Sequence, residues 1–202
     1  MFSGIIEETS PIVEASARPG LVRVSLARPN SFDDIKTGDS IACNGVCLTV
    51  ENFDSEKITF ALALETLKVL RLSEDPSALL GQRWNLERSL RFGDRIHGHL
   101  VTGHVENLGE IVKSFADGES WLMDIRVQDS ILPFIWKKGS LTIHGVSLTL
   151  NEVQSNVVSV CLIPETQKRT NLISKKVHDW VNIEPDYMAK AVVRAQQVGG
   201  KN

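Results

Sequence analysis

The chain has no basic block, no long apolar run and little cysteine. Its longest basic runs are two residues, as at Lys137-Lys138 and Lys175-Lys176, and 22 Lys and Arg against 25 Asp and Glu leave a formal net charge of −3. Nothing in that balance attracts a polyanion, so nucleic acid is excluded as a partner and a small neutral or anionic ligand is expected. No segment approaches the roughly 18 apolar residues needed to cross a bilayer, which excludes a membrane span. The opening Met1-Phe-Ser-Gly-Ile-Ile-Glu-Glu8 lacks a basic start, an apolar core and a small-residue cleavage site, so no signal peptide is expected. The three cysteines, Cys43, Cys47 and Cys161, are odd in number and carry no secreted disulfide pattern. A reducing cytoplasm is the expected home. No Gly-rich strand–helix fingerprint for a nicotinamide cofactor occurs either. What remains, 42% hydrophobic and 23% charged residues, is ordinary for a globular protein and excludes general disorder.

What the sequence does have is a second copy of itself. Lys36-Thr-Gly-Asp-Ser-Ile-Ala-Cys-Asn-Gly-Val-Cys-Leu-Thr-Val50 returns as Lys137-Lys-Gly-Ser-Leu-Thr-Ile-His-Gly-Val-Ser-Leu-Thr-Leu150, one residue shorter in this alignment. Phe60-Ala-Leu-Ala-Leu-Glu-Thr66 returns as Val160-Cys-Leu-Ile-Pro-Glu-Thr166, and Trp84-Asn-Leu-Glu87 as Val181-Asn-Ile-Glu184. The start recurs too, Phe2-Ser-Gly-Ile-Ile-Glu7 pairing with Val101-Thr-Gly-His-Val-Glu106. Blocks in one order at a nearly constant offset require a duplication. Domains are expected over residues 1–97 and 98–187, with a tail over 188–202.

Within each copy the apolar period is two. Val22, Val24 and Leu26 alternate with Arg23 and Ser25, and Met123, Ile125 and Val127 with Asp124 and Arg126. Such alternation marks half-buried strands. Short strands with turn-like breaks at Arg18-Pro-Gly20, Asp54-Ser-Glu56 and Ala116-Asp-Gly118 predict an all-β antiparallel fold, two small barrels in tandem. Closure is favoured because it removes exposed edges. At the end, Met188, Val192, Ala195 and Gly199 fall at helical spacing, and Gly199-Gly200 is a stop signal, which predicts a C-terminal α-helix. Its apolar stripe must be covered by its own barrel or by another helix.

Two regions invite chemistry. The junction Gly93-Asp-Arg-Ile-His-Gly-His-Leu-Val-Thr-Gly-His104 holds three of the five histidines. Metal ligation by His97, His99 and His104 with Cys43 and Cys47 has the wrong spacing for a structural zinc site, so no metal is expected. A Gly-rich linker with incidental polar residues and a ligand cleft at a domain boundary both remain open. Cys47 and its repeat partner Ser147 each follow Gly-Val and precede Leu-Thr. A lone cysteine in a strand is usually a small core residue. Thr49 and Thr149 share its face at period two, however, and a row of Cys or Ser with Thr suits a polar pocket wall. Glu65-Thr66 and Glu165-Thr166 either extend that wall or are turn residues.

The blocks Met1-Phe-Ser-Gly-Ile-Ile-Glu7, Asn44-Gly-Val-Cys-Leu-Thr49, Gly98-His-Leu-Val-Thr-Gly-His104, Gly145-Val-Ser-Leu-Thr149 and Leu162-Ile-Pro-Glu-Thr166 resemble the α-type riboflavin synthases over essentially the whole chain. The resemblance implies two tandem duplicated six-stranded antiparallel β-barrels and a C-terminal helix that helps hold a homotrimer, with the active site between chains. It implies dismutation of two molecules of 6,7-dimethyl-8-ribityllumazine to riboflavin and 5-amino-6-ribitylaminouracil, with no cofactor, and possible association with lumazine synthase. Carried over by position, Gly4, Ile5, Ile6, Cys47, Leu48, Thr49, Ala61, Leu62, Ala63, Leu64, Glu65 and Thr66 are expected to line a first lumazine site. Gly103, His104, Val105, Ser147, Leu148, Thr149, Leu162, Ile163, Pro164, Glu165, Thr166 and Gln167 are expected to line a second. Lys138 is expected to reach across a subunit interface, and Ser40, Cys47, His104 and Asp186 to serve the chemistry. The chain departs from the family pattern at His97, at Asn107, at Thr170-Asn-Leu-Ile173 and at Pro185. Fluorescent lumazine-binding antenna proteins share the duplicated fold but have lost polar junction residues; retention of His99, His104, Cys47 and Ser147 favours an enzyme.

Overall fold

The computed structural model describes residues 1–72 and 75–199. The first copy contributes β1 (Glu8–Arg18), β2 (Leu21–Ala27), β3 (Ser40–Cys43), β4 (Val46–Phe53), β5 (Lys57–Ala63), a short helix α1 (Leu64–Val69) and β6 (Arg83–Arg88). These six strands close into an antiparallel barrel in the order β1-β2-β5-β4-β3-β6. The alternation read from the sequence sends Val22, Val24, Leu26, Ile58, Phe60 and Leu62 into one buried core. Successive side chains leave opposite faces of a strand, so the intervening residues form the outer wall.

The second copy is built from β7 (Asn107–Asp117), β8 (Ser120–Arg126), β9 (Ser140–Ile143), β10 (Val146–Thr149), β11 (Glu152–Gln154), β12 (Val157–Leu162), a short helix α2 (Pro164–Arg169) and β13 (Trp180–Pro185). Its strands run β10-β9-β13-β7-β8-β12-β11, so the two edge strands of this seven-stranded sheet are neighbours in sequence. In the first copy one strand, β4, spans the matching stretch and absorbs the curvature with an irregularity between Val50 and Asn52. In the second copy that strand breaks at Leu150-Asn151. Asn151 N–H donates to Ser159 O at 2.8 Å across the gap, which keeps the sheet rolled. The expected six strands thus become seven by division of one.

The β3–β4 and β9–β10 hairpins show why the repeat is so well marked. Asn44 and Gly45 have φ of 47° and 83°, and His144 and Gly145 have φ of 53° and 87°. Two successive left-handed residues make the tight turn that matches strand twist. The hairpin bases correct the sequence alignment: Gly38 N–H donates to Val50 O (2.9 Å) and Lys138 N–H to Leu150 O (2.7 Å). Lys138 is therefore the counterpart of Gly38, not of Thr37, and no residue is deleted here.

The C-terminal helix α3 (Tyr187–Gly199) starts one residue after Asp186, whose Oδ1 accepts Met188 N–H at 2.8 Å. Its stripe is not covered by its own barrel: Met188 and Val192 are exposed and no α3 residue is buried. Gly200 of the expected stop signal lies outside the described residues. Pro185 is the last residue of β13, opposite Leu141, where a missing N–H costs one terminal ladder bond. No helix among the described residues is long and apolar enough to cross a membrane.

Candidate functional site

The two copies meet about a local two-fold axis, and the meeting decides which residues share a site. Segments 1–6 and 100–105 run antiparallel between the barrels, Phe2 N–H donating to Val101 O (2.8 Å) and Val101 N–H to Phe2 O (3.0 Å). Each segment is clamped by a glutamate of its own copy. Glu87 accepts from Ser3 N–H (2.7 Å), Ser3 O–H (2.8 Å) and Gly4 N–H (3.0 Å). Glu184 accepts from Thr102 N–H (2.7 Å), Thr102 O–H (2.7 Å) and Gly103 N–H (3.0 Å). Both carboxylates are buried, and burial raises the Glu87 pKa against the Ser3 and Gly4 hydrogen bonds that lower it.

Beyond the clamps each segment crosses to the other copy. Ser147 N–H donates to Gly4 O at 2.7 Å, and Cys47 N–H donates to Gly103 O at 2.8 Å. A Cβ on Gly4 would lie 2.6 Å from Ser147 Cβ, and one on Gly103 the same distance from Cys47 Cβ. Ile6 packs in the second core and Val105 against the first. The sequence-based grouping is corrected accordingly: Gly4, Ile5 and Ile6 belong with Ser147, and Gly103, His104 and Val105 with Cys47. A repeat tells which segments are equivalent, not which barrel each one rests on.

The outer faces of these crossings are open. Cys47 is half-buried beside exposed Thr49 on β4, with Ala61 half-buried and Ala63, Leu64 and Glu65 exposed on β5 and α1. His104, next to Gly103 in the crossing, is exposed. In the second copy Ser147 is half-buried and Thr149 exposed, with exposed Ile163, Pro164 and Glu165 and half-buried Thr166 and Gln167 beyond. Leu48, Leu62, Leu148 and Leu162 instead point into the cores, so their side chains line no outer site. Ile6 is likewise a core residue. Gln167 is tied back, its Nε2 donating to Leu162 O (2.9 Å) and Glu119 O (2.8 Å). Lys138 is exposed.

Ser40 lies across the ladder from Thr49 and lines a groove of about 1180 Å³ with Ser3, Ile5, Glu87, Arg88 and His97. Arg88 crosses this groove to Glu7 and Asp34, each at 2.6 Å. The four residues expected to serve the chemistry therefore divide. Cys47 and His104 adjoin through the Cys47–Gly103 bond, Ser40 follows on the neighbouring strand, and Asp186 belongs to the second copy, where its charge acts on His99. Among the described residues no three His, Cys, Asp or Glu side chains converge as a metal set.

Three buried groups escaped the sequence reading. Glu87 and Glu184 were visible only as repeated letters. His144 sits at the axis, where Gly45 and Gly145 leave no room: a Cβ on either would meet the other's backbone N at 2.7 Å. Around them Asn44 Oδ1 accepts Asn85 N–H (2.8 Å), His144 Nδ1 accepts Asn182 N–H (3.0 Å), Asn85 Nδ2 donates to His144 O (2.8 Å) and Asn182 Nδ2 to Asn44 O (2.8 Å). Burial holds the His144 pKa well below the ordinary imidazole value, and Lys175 pushes it the same way.

Comparison with known proteins matches this duplicated geometry. The lumazine binding domain family model matches residues 3–89 and again residues 102–186. Riboflavin synthase of Actinobacillus pleuropneumoniae is 38% identical over 192 residues, covering 95% of this chain and 88% of the relative. The Escherichia coli riboflavin synthase is 37% identical, covering 96% of this chain and 90% of the relative, and that of Bacillus subtilis is 33% identical, covering 100% and 93%. Among solved structures, LumP complexed with riboflavin superposes with a TM-score of 0.82 at 20% identity, covering 92% of this chain and 99% of LumP. LumP complexed with 6,7-dimethyl-8-(1'-D-ribityl) lumazine gives 0.79 at 19%, with the same coverage. At that identity the likeness is one of fold.

Proposed function

The chain belongs to the riboflavin synthases, enzymes made of two lumazine-binding domains, and we propose on that premise that it dismutates 6,7-dimethyl-8-ribityllumazine. One molecule gives up the four carbons of its dimethylated ring edge to the other. The products are riboflavin and 5-amino-6-ribitylaminouracil, whose atoms together equal those of two substrates. The reaction is a group transfer between identical molecules, so one is oxidised at the other's expense and no external redox partner enters.

The observation that carries this reading is the crossed pair of outer-face sites. One chain presents two related surfaces, Cys47 with Gly103–Val105 and Ser147 with Gly4–Ile6, for two copies of one ligand. Holding two reactants in register is worth up to about 7–11 kcal/mol of barrier. Both surfaces are open in a single chain, which suits an active site closed by a neighbouring chain's barrel. The uncovered stripe of α3 suits the same trimer. In that assembly Lys138 reaches a neighbour, and His104, Cys47, Ser40 and Asp186 handle the proton taken from a ring methyl group and the addition to the second ring. The two units span 1–97 and 98–187, followed by the helical tail, and the setting is the cytoplasm, with lumazine synthase a candidate partner.

The test is to supply the lumazine alone, with chelator and without added cofactor, and follow both compounds by absorbance. Riboflavin forming at half the rate of lumazine loss is expected. Tight lumazine binding without riboflavin would make the chain a binding protein and remove the roles given to Cys47, His104 and Asp186.

A further inference from the structure

The two crossings differ at one place. On the outer face of the first copy, Ala42 stands opposite Cys47 in the β3–β4 ladder, and Phe2 and Val101 cover both. On the second, Thr142 stands opposite Ser147 in the β9–β10 ladder. Between those two hydroxyls lies the ring of His99, its Nδ1 2.7 Å from Ser147 Oγ and its Nε2 3.1 Å from Thr142 Oγ1. At the matching place of the first copy the side chains against Ala42 and Cys47 are the apolar Phe2 and Val101. His99, Thr142 and Ser147 thus form a hydrogen-bonded polar set where the first copy packs an apolar one.

The backbone around the set is built to hold it. His99 N–H donates to Ser3 O at 3.2 Å, fixing the ring's root. A Cβ on Gly98 would fall 2.8 Å from Ser147 Oγ, so only glycine leaves space for that hydroxyl. Ser147 itself is anchored through its N–H to Gly4 O and stays half-exposed toward the expected ligand face.

We infer that His99 is a positioning residue of the second lumazine site, which fixes the hydroxyl rotor of Ser147 and makes the two sites of one chain chemically unequal. A serine hydroxyl facing solvent turns freely. Bound to an imidazole nitrogen, it is held either as donor to the ring, with its lone pairs free for the ligand, or as acceptor, with its proton free. Thr142, buried and bonded to the other nitrogen, takes the opposite role in either tautomer, so the ring stays held between the two hydroxyls. Burial lowers the His99 pKa below the usual imidazole value while the Asp186 carboxylate opposes that effect, so the ring is neutral at neutral pH and able to play both parts. His99 does not touch the ligand; it acts through Ser147.

This inference rests on the lumazine reading, and its test separates the two. Riboflavin serves as a ligand that is not turned over, titrated into the full chain and into H99Q, S147A and the double variant, alongside steady-state kinetics with lumazine. H99Q is expected to lower kcat about tenfold with KM changed less than about threefold, a loss of about 1.4 kcal/mol at one step. In the S147A background H99Q is expected to cost less than about twofold, because the group it positions is gone. H99Q should weaken one class of riboflavin site and leave the other unchanged. Equal cost in both backgrounds, or equal weakening of both classes, overturns the assignment. If no riboflavin forms with the unsubstituted chain, the dismutase reading fails, and the binding titration still decides whether His99 serves one site through Ser147.

Discussion

The two copies agree at the axis and disagree on the faces. Gly4 matches Gly103, Gly45 matches Gly145 and Glu87 matches Glu184, and each pair makes the same contacts to the same atoms. Cys47 and Ser147, and Ala42 and Thr142, occupy matching positions with different chemistry. The strand that is whole in the first copy is broken in the second. Positions where the backbones touch tolerate one solution only, since a single added carbon would overlap the other copy. Cys47 and Ser147 on the outer wall differ, and those are the faces proposed for the ligand. The duplicated scaffold is symmetric where packing demands it and asymmetric on the faces proposed to hold two identical molecules.

The largest expected effect comes from breaking the axis. G45A places a methyl 2.7 Å from Gly145 N on a residue with φ of +83°. A loss of about 3 kcal/mol or more is expected in urea unfolding. G20A is the control, at a similar φ of +80° with open space around it, and should cost only about 1 kcal/mol from backbone strain. Equal losses would mean that the contact between copies contributes nothing.

A middle-sized effect comes from either clamp. E87Q sets an amide N–H₂ against the Ser3 or Gly4 N–H in place of a carboxylate oxygen, and E184Q does the same at Thr102 or Gly103. Each is expected to cost about 1–3 kcal/mol by chemical unfolding, and similar values for the two would confirm that the clamps are equivalent.

The smallest effect at neutral pH, and the most selective, is expected from H144N, which gives the second hairpin the residue of the first. Asn Oδ1 can accept Asn182 N–H as Asn44 Oδ1 accepts Asn85 N–H, so stability at pH 7 should change by less than about 0.5 kcal/mol. Acid should separate the two proteins. The unfolded imidazole takes a proton near pH 6.5, and the buried one, held well below that value, does not. As pH falls below about 6.5 the unfolded state therefore binds more protons and stability drops. H144N should lose this component of acid sensitivity, and an unchanged pH profile between 7 and 5 would contradict the neutral, accepting role of His144.

Much of this was legible in the letters. Alternation at Val22–Leu26 and Ile58–Leu62 gave strands and core, and the repeated blocks around Asn44-Gly45 and His144-Gly145 gave the equivalence of the two copies, while their turn geometry came from the structure. Three things were not legible. The break at Leu150-Asn151 depends on how a closed sheet relieves curvature, and Val50-Glu51 solved the same problem with a bulge. The crossing of segments 1–6 and 100–105 is a tertiary choice invisible to a repeat that scores both copies alike. His99 was left open between linker and ligand cleft because its role comes from Thr142 and Ser147, more than forty residues away.

The crossing is the central claim, and one measurement addresses it directly: riboflavin titration of the full chain carrying I5A, H104A, S147A or C47A, singly and in pairs. I5A should be non-additive with S147A and additive with C47A, while H104A should be non-additive with C47A and additive with S147A. Coupling of Ile5 with Cys47 and of His104 with Ser147 would mean that each copy completes its own site, and would contradict the crossed arrangement.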